Sequence, residues 1–457
     1  MNGPLGNSAY RHLFAAQALS LLGTGLTTVA LGLLAYDLAG PDAGLVLGTA
    51  LAIKMIAYVG LGPVGAAIAE RFPRRPYLVA LDLIRAALVL VLPFVSEIWQ
   101  IYLLIFLFQA CSAAFTPTFQ ATIPDLLPDE KDYTRALSLS RMLYDLEQLL
   151  SPVLAGVLLT LVSFHWLFVG NTIGFLASAA FIVTAAIPPQ TNEENRRGFW
   201  QRVTRGSWIY LKTPRLLGLL SLSFAVASAG SMVIVNTVVF VRSVLGGDET
   251  DVAIFFAAAG LGSMAIALTL PRLLDRIATR PVMICGGAVL CAGLIAGLWA
   301  ETYAGALAVW VCLGAGSSLV MTPSGLLLRR SSHAEDRPAL FAAQFALSHG
   351  CWLIAYPVAG WVGARFGMNA AFIVLAVGAA AGCAAALLLW PRNDPAELEH
   401  EHEEVVHAHV PTADGHHRSD QISRDDDRSE KKHRHRKFRH RHVFVIDDHH
   451  TAWPRSG

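Results

Sequence analysis

Glu70-Arg71-Phe72-Pro73-Arg74-Arg75-Pro76 returns 205 positions later as Asp275-Arg276-Ile277-Ala278-Thr279-Arg280-Pro281. Both copies read acid, arginine, three residues, arginine, proline, and each lies between two long apolar runs. A second echo follows at nearly the same offset, Thr116-Pro117 against Thr322-Pro323. The chain therefore reads as one membrane unit of about six helices used twice. Such a duplication suits two halves that rock about a central site.

The 457 residues are 54% hydrophobic, with a mean hydropathy of +0.48. Charged residues make up 15%, against about 25% in a typical soluble protein. Residues 391–457 hold 26 of the 69 charged side chains and 12 of the 16 histidines. The net charge of +1 averages an apolar body with a charged tail and carries no information about partners. All six cysteines fall within apolar runs without CxxC spacing, which excludes a cysteine-based zinc site and an extramembrane disulfide framework. The first apolar run is too long for a signal-peptide core and is expected to remain as the first span.

Twelve runs reach the length a bilayer core demands, roughly 13–36, 45–68, 77–95, 100–119, 140–162 and 165–187, then roughly 216–241, 251–271, 281–299, 303–326, 340–363 and 369–390. The expected class is an all-α polytopic membrane protein of twelve transmembrane helices in two pseudo-symmetric six-helix bundles. With the N-terminus inside, the inner loops before residue 391 hold 18 Lys and Arg, and the outer loops hold only Arg242 and Arg365. The outer loops carry Asp42, Glu97, Asp248, Glu249, Asp251 and Glu301 instead. The asymmetry places both termini in the cytoplasm. The expected units are a first bundle (1–187), a linker (188–215), a second bundle (216–390) and a disordered His-rich tail (391–457). Within the linker, Phe199, Trp200, Val203, Trp208 and Leu211 predict an amphipathic helix lying on the membrane surface. Residues 120–139 predict a short helix beginning near Pro124.

Twelve spans and the repeated acid–arginine loop resemble the major facilitator superfamily. Its loop motif, Gly-x-x-x-Asp-Arg-x-Gly-Arg-Arg, falls here on Ala66, Glu70, Arg71, Pro73, Arg74 and Arg75: the glycines are lost and the charges kept. Thr116 through Pro128, followed by Arg135-Ala136-Leu137-Ser138, resembles the branch of enterobactin and macrolide exporters. The His-rich C-terminus and Tyr144-Asp145-Leu146-Glu147 with Ser151-Pro152 resemble nickel-resistance exporters within that branch. The antiporter motif of the fifth span has Gly-Pro where this chain has Ser151-Pro152. The resemblance spans residues 10–390 and implies a bacterial inner-membrane exporter driven by protons. In this superfamily spans one, four, seven and ten line the cavity, which here implies Gln17, Thr24, Thr28, Gln109, Cys111, Ser231, Asn236 and Thr322, with Met232 and Met321.

A charge at bilayer depth costs about 2.5–3.5 kcal/mol on insertion scales, so each one needs a reason. Lys54, Asp82, Arg85, Arg141, Asp145 and Glu147 fall within spans, and Asp37 lies at the outer end of the first. Asp82 and Arg85 are one turn apart and suit a pair reaching Arg71, Arg74 or Arg75. With Glu70 and with Asp275, Arg276 and Arg280 in the second half, they form a candidate latch that closes the cytoplasmic side. The plainer alternative is a helix-end ion pair that fixes topology. Asp145 and Glu147 are candidates for carrying the proton, against a local Arg141–Asp145 pair at a hydrated helix end. The repeat carries Asp145 to the neighbourhood of Ser348-His349, and an imidazole there is a candidate proton carrier or metal ligand. Its alternative is a core histidine bonded to a neighbour.

In the tail, His400, His402, His407, His409, His416 and His417 alternate with glutamates or cluster, a candidate set for Ni²⁺, Co²⁺ or Zn²⁺. The block Lys431–His442 interleaves histidine with fixed cations; the expectation there is contact with anionic membrane lipid rather than metal. The segment Val443 to Asp448 predicts docking at no identifiable place. The expected function is proton-coupled export of a divalent transition metal, nickel or cobalt; the alternative is export of amphiphilic organic molecules such as a drug, siderophore or lysolipid, and the third and weakest reading is a non-transporting membrane receptor. No Gly-Lys-Ser/Thr phosphate loop or nucleophile–base arrangement is present, so neither direct ATP drive nor enzymatic chemistry is expected. No cofactor, no nucleic acid and a monomeric state are expected; the partners are membrane lipid and a small-molecule or metal-ion substrate.

Overall fold

The structure, a computed structural model, describes residues 3–69, 72–187, 199–274, 276–333, 336–394, 397–402, 405–409, 431–435, 438–446, 450 and 453. Its body is helical. The first half holds α1 (Ser8–Ala39), α2 (Ala43–Ala69), α3 (Arg74–Val91), α4 (Ile98–Leu126), α5 (Glu130–Leu159) and α6 (His165–Thr184). A separate helix, α7 (Phe199–Lys212), precedes the second half: α8 (Pro214–Val239), α9 (Glu249–Leu274), α10 (Thr279–Ala296), α11 (Tyr303–Met321), α12 (Ser324–Arg330) and α13 (Arg337–Leu389). Helix starts are capped where the sequence offers a polar side chain. Asn7 accepts from the Tyr10 N–H, Thr302 accepts from that of Gly305, and Glu97 and Gln100 form a capping box at α4.

Among the described residues, nine stretches are long and apolar enough to cross a membrane. Two of them contain a reversal. Gly40–Asp42 turns α1 into α2, and Gly367, at φ +82°, turns α13 back on itself without a loop. Only glycine adopts that dihedral without strain. Helix boundaries also depart from the sequence expectation around residues 120–139. There α4 runs on to Leu126 and α5 begins at Glu130, so no separate short helix forms. A helix has no reason to end at the bilayer edge while its backbone bonds continue. The tenth span ends at Met321, and Pro323 separates it from the short α12.

Packing within each half follows the duplication. Helix α1 packs on α5 and α6, α2 on α4, and α3 on α4 and α6; in the second half α8 and α10 pack on α13, and α11 on α9 and α10. The halves meet through α2 on α13 and α5 on α9. The repeat relates α2 to α9 and α5 to the first part of α13, so the two junctions are counterparts. Large apolar side chains lie exposed around the body, among them Leu161, Leu268 and Leu388. Exposed Phe94, Trp99, Trp166 and Trp299 gather at the face bearing the turns near residues 40, 95, 162, 245 and 300, hereafter the far face. An aromatic belt of this kind marks a membrane interface. The opposite face carries most of the basic loops and is called the basic face.

Two expectations change. Helix α7 docks on the second half through buried Ile209 and Tyr210, although Trp208 and Leu211 stay exposed. Tyr210 donates to Gln344, Arg205 binds Asp336 at 2.5 Å, and Gly206 abuts the Ala339 backbone. The tail, expected to be disordered, contains strands: β1 (Glu397–His402) pairs antiparallel with β4 (Phe438–Val443), and β2 (Val405–His409) with β3 (Lys431–His435). Glu399 stands opposite Arg441 and Glu401 opposite Arg439; opposite charges at facing positions favour pairing by roughly 0.2–1 kcal/mol each.

Candidate functional site

The interior where the halves meet holds three ionisable side chains from three helices. Lys54 comes from α2, Glu147 from α5 and His349 from α13. Lys54 lies within electrostatic reach of both Glu147 and His349. Glu147 fits because Gly25 on α1 has no side chain; a Cβ there would meet Glu147 Oε1 at 2.5 Å and would also collide with Ser151. Ser140 on α5 bonds Gln17 of α1 at 3.0 Å, tying the same pair of helices one level nearer the basic face. The imidazole Nδ1 of His349 sits 2.6 Å from the Phe345 carbonyl oxygen. A carbonyl only accepts, so Nδ1 carries a proton, and in the neutral imidazole Nε2 keeps its lone pair. Tyr58 of α2 faces this ring across 6.0 Å, and Phe345 lies 3.8 Å from it. Carboxylate, ammonium and imidazole thus sit along the seam between the halves, bordered by aromatic rings.

The site draws on residues whose roles were unequally visible in the sequence. Glu147 and His349 stood out as charges inside spans. Lys54 stood out in the same way, but no sequence spacing connects it to either partner. The side chains of Arg141 and Asp145 lie outside the described residues, so the local-pair alternative is not addressed. Asp37 lies exposed at the far face, near Glu249, and does not join this group. Gln109 is buried in α4. Asn236 does not reach the interior site: its amide donates to the Ala359 carbonyl at 3.2 Å, and its Oδ1 lies close to Gly44 and Gly363. It braces α8, α13 and the start of α2. The hydroxyls of Thr24, Thr28 and Ser231 bond carbonyls one turn back in their own helices, which leaves them little to offer a substrate.

Among the described residues the candidate latch falls into separate groups. Glu70, Arg71 and Asp275 lie outside the described residues. Arg74 pairs with Asp125 at the end of α4, within the first half, and Arg75 is exposed. Arg85 donates to Asp82, and both are buried between α3, α4 and α6. Ser178 donates to the other Asp82 oxygen at 2.7 Å, and the Arg85 guanidinium stacks 3.9 Å from the Phe115 ring and 4.5 Å from that of Phe175. This pair does not extend to Arg74 or Arg75 as expected, because Asp125 takes Arg74 and two turns of helix lie between. Arg276 is exposed, and Arg280 donates to the Trp390 carbonyl at 3.2 Å within the second half. Among the described residues, then, these charges brace individual halves.

Besides the rings of Tyr58, Phe345 and His349 at the interior site, the polar and aromatic contacts between the halves lie toward the far face. Tyr36 meets Ser243 at 3.0 Å, and Arg242 sits over the Tyr36 ring at 5.3 Å. Backbones come closest where α2 crosses α13. A Cβ at Gly360 would run into the Gly44 carbonyl, and one at Gly48 would lie 2.6 Å from the Tyr356 oxygen. Small residues allow this approach, and it closes the far face.

A second polar group, not legible in the sequence, lies at the basic face. Arg215, fully buried at the start of α8, has Asp394 at 3.5 Å; Arg330 lies 3.5 Å from the same carboxylate, and the Trp390 indole donates to it at 3.1 Å. Trp453 covers the Arg215 guanidinium at 4.6 Å. Phe444 and Ile446 enter the main apolar core, and Phe444 stacks edge-on against Trp453 and His450. This is where the segment beginning at Val443 docks. The candidate tail ligands His400, His402, His407 and His409 lie in β1 and β2; His416 and His417 fall outside the described residues. Among the residues whose side chains are described, no three His, Cys, Asp or Glu gather as a metal site.

Comparison with known proteins agrees with this architecture. The family model described as Major Facilitator Superfamily matches residues 13–277 and 219–445. The MFS-type transporter YfiS of Bacillus subtilis (strain 168) is 24% identical over 379 residues, covering 79% of this chain and 88% of that protein. Macrolide efflux protein A of Streptococcus pyogenes is 24% identical over 181 residues, 38% of this chain; the match spans 44% of that protein's length. Among solved structures, a mutant of the nucleoside transporter NupG superposes with a TM-score of 0.63 at 14% identity, over 83% of this chain and 100% of that one. A bacterial homologue of the human lysosomal transporter Spinster, inward-facing and occupied, gives 0.66 at 14% over 83% and 95%. At that identity the two structures bear on the fold alone.

Proposed function

The chain belongs to the major facilitator superfamily, and from that premise we propose that it is a proton-coupled efflux carrier working by alternating access. Its twelve spans would set both termini in the cytoplasm of a bacterial inner membrane, with a monomer as the working unit. The observation that carries the reading is the group at the seam: Glu147 and Lys54 from one half and His349 from the other. A proton taken up by the Glu147 carboxyl removes its attraction for the Lys54 ammonium and lets the seam rearrange. His349, with Nε2 open, is a second proton acceptor on the moving half. The efflux relatives support the direction of transport.

An amphiphilic organic molecule is the cargo that suits this interior best. Tyr58, Phe345 and His349 offer ring faces, and Gln17 offers an amide. An ammonium within electrostatic reach of both the carboxylate and the imidazole repels a divalent cation from those two ligands. Export of Ni²⁺ or Co²⁺ is the second reading, favoured by the His–Glu run of the tail and by the ligand chemistry of Glu147 and His349. The test is transport in proteoliposomes with an imposed proton gradient, using macrolides, a lysolipid, Ni²⁺ and Co²⁺ as separate cargoes. Glu147→Gln is expected to abolish gradient-driven movement and to keep exchange across equal pH. Gradient-driven transport at the wild-type rate in that variant would overturn the coupling assignment.

A further inference from the structure

The polar group at the basic face holds more positive charge than it can bond. Arg215 is 1% exposed, yet none of its three guanidinium nitrogens finds a hydrogen-bond partner among the described residues. The Asp394 carboxylate stops 3.5 Å from its Nε, whereas charge-assisted bonds close to about 2.7–2.9 Å. The other oxygen of that carboxylate lies 3.5 Å from Arg330 and already accepts from the Trp390 indole. Two guanidiniums thus share one carboxylate in a nearly dry place. Buried donors left in this condition are rare, and an ion or ordered water is the usual reason for them. Trp453 lies over the Arg215 guanidinium at 4.6 Å. A ring in that position occupies the face, and the N–H donors point outward from the edges.

The two ends of the tail meet at this group. Strands β1 and β4 pair antiparallel, Glu397 against Val443, so the tail leaves and returns at one place as a hairpin with two roots. Asp394, just before β1, is one root, and Arg330 donates to its carbonyl at 2.7 Å. Phe444, just after β4, is the other, buried against Trp453 and His450. Exposed cations stand close in sequence to each member: Lys212 before α8, Arg329 beside Arg330, and Arg392 shortly before Asp394. A basic rim of this kind draws anions toward the buried guanidiniums. None of these residues belongs to the seam group of Lys54, Glu147 and His349.

We infer that Arg215 and Arg330 form a site for a phosphate-bearing anion held beside the Trp453 ring, and that filling it fastens Phe444 and Trp453 to the second half. Phosphate oxygens accept from both guanidiniums in their own planes, while Trp453 keeps the face of one. The anion balances the charge that Asp394 alone leaves over. The inner leaflet supplies this chemistry as an anionic lipid headgroup, and the cytosol supplies it as free phosphate. An anion that binds best with Trp453 in place holds Trp453 in place, because linkage is reciprocal. The inference is independent of what the body transports.

The experiment is chymotrypsin cleavage of the purified full chain after Phe444 and Trp453, followed by mass spectrometry. One arm, in neutral detergent, titrates inorganic phosphate against sodium chloride of equal ionic strength. The other uses phosphate-free nanodiscs of phosphatidylcholine with and without phosphatidylglycerol. Cleavage at both positions is expected to slow in at least one arm, by about 10-fold when the anion reaches ten times its dissociation constant. A response to phosphate identifies a soluble anion, and a response to phosphatidylglycerol alone identifies a lipid. Arg330→Gln is expected to weaken the protecting anion by about 10–100-fold, the worth of lost bonds to a charged group. Arg215→Lys keeps the charge, loses the fork and should weaken it similarly; Arg330→Gln decides the matter if the lysine variant fails to fold. The assignment is overturned if neither anion slows cleavage, if chloride protects as well as phosphate, or if Arg330→Gln responds as the wild type does.

Discussion

The crossing of α2 over α13 offers the sharpest test of how the far face is held shut. A methyl group at Gly360 would be driven into the Gly44 backbone, which has no flexible end to yield. At Gly48 the obstacle is again backbone, the Tyr356 carbonyl at 2.6 Å. At Gly44 it is Asn236 Oδ1 at 2.8 Å, the tip of a side chain. At Gly60, on the same helix, nothing lies within 4 Å. Overpacking of this kind costs about 1–3 kcal/mol. Gly360 and Gly44 are close only while the far face is closed, so the cost falls on that state and shifts the equilibrium toward the far-open state by about 5–150-fold. Spin labels on cysteines at the exposed Asp42 and Asp248, one per half, would report the distance across the far face in a background lacking the six native cysteines. Gly360→Ala should enrich the longer distances most, Gly48→Ala nearly as much, Gly44→Ala less, and Gly60→Ala not at all. If Gly360→Ala gave the wild-type distance distribution in a folded, monodisperse protein, the glycine crossing would not be the closure.

Other expectations concern stability and pH. Asp82→Asn leaves the buried Arg85 without its counter-charge and should cost about 3–5 kcal/mol, while Ser178→Ala should cost about 1.5–3 kcal/mol. Because Ser178 acts on the same carboxylate, the double variant should be little worse than Asp82→Asn in thermal unfolding followed by size-exclusion fluorescence; full additivity would refute the shared network. Burial pushes the Tyr210 phenol far above its ordinary range. Its protonated form is favoured in the docked state, so this contribution is complete below pH 10 and declines as pH rises above it. Protease cleavage near α7 should therefore increase at alkaline pH in the wild type, and Tyr210→Phe should remove that step. Trp453→Ala uncovers Arg215 and should raise proteolysis within residues 444–453 while leaving the cleavage pattern of the body unchanged.

The paired acid–arginine loops were enough to read two bundles, because duplication leaves its trace in spacing. The loops were a poor guide to what those charges do. Arg74, Arg280 and the Asp82–Arg85 pair bind partners from α4, α13 and α6, and no local pattern names a partner a hundred residues away. The same limit hid Lys54 as the link between Glu147 and His349, since each stands on a different helix. Gly367 lies between the two expected spans 340–363 and 369–390, and nothing in the local sequence singles it out as a positive-φ turn. The tail misled for a different reason. Judged by composition it is a solvated charged segment, and only a register joining residue 397 to residue 443 sets its glutamates opposite arginines.

Anchoring both roots of the hairpin on the second half changes how the tail must be manipulated. Cutting the chain after Arg392 would remove the histidines, but also Asp394, the carboxylate shared by Arg215 and Arg330, and the Phe444–Trp453 lid over a buried guanidinium. A loss of transport in such a truncation would confound a missing ligand set with an exposed charge in the bundle. Excising 397–443 alone, with a short glycine bridge between the two roots, keeps the lid in place and isolates the hairpin.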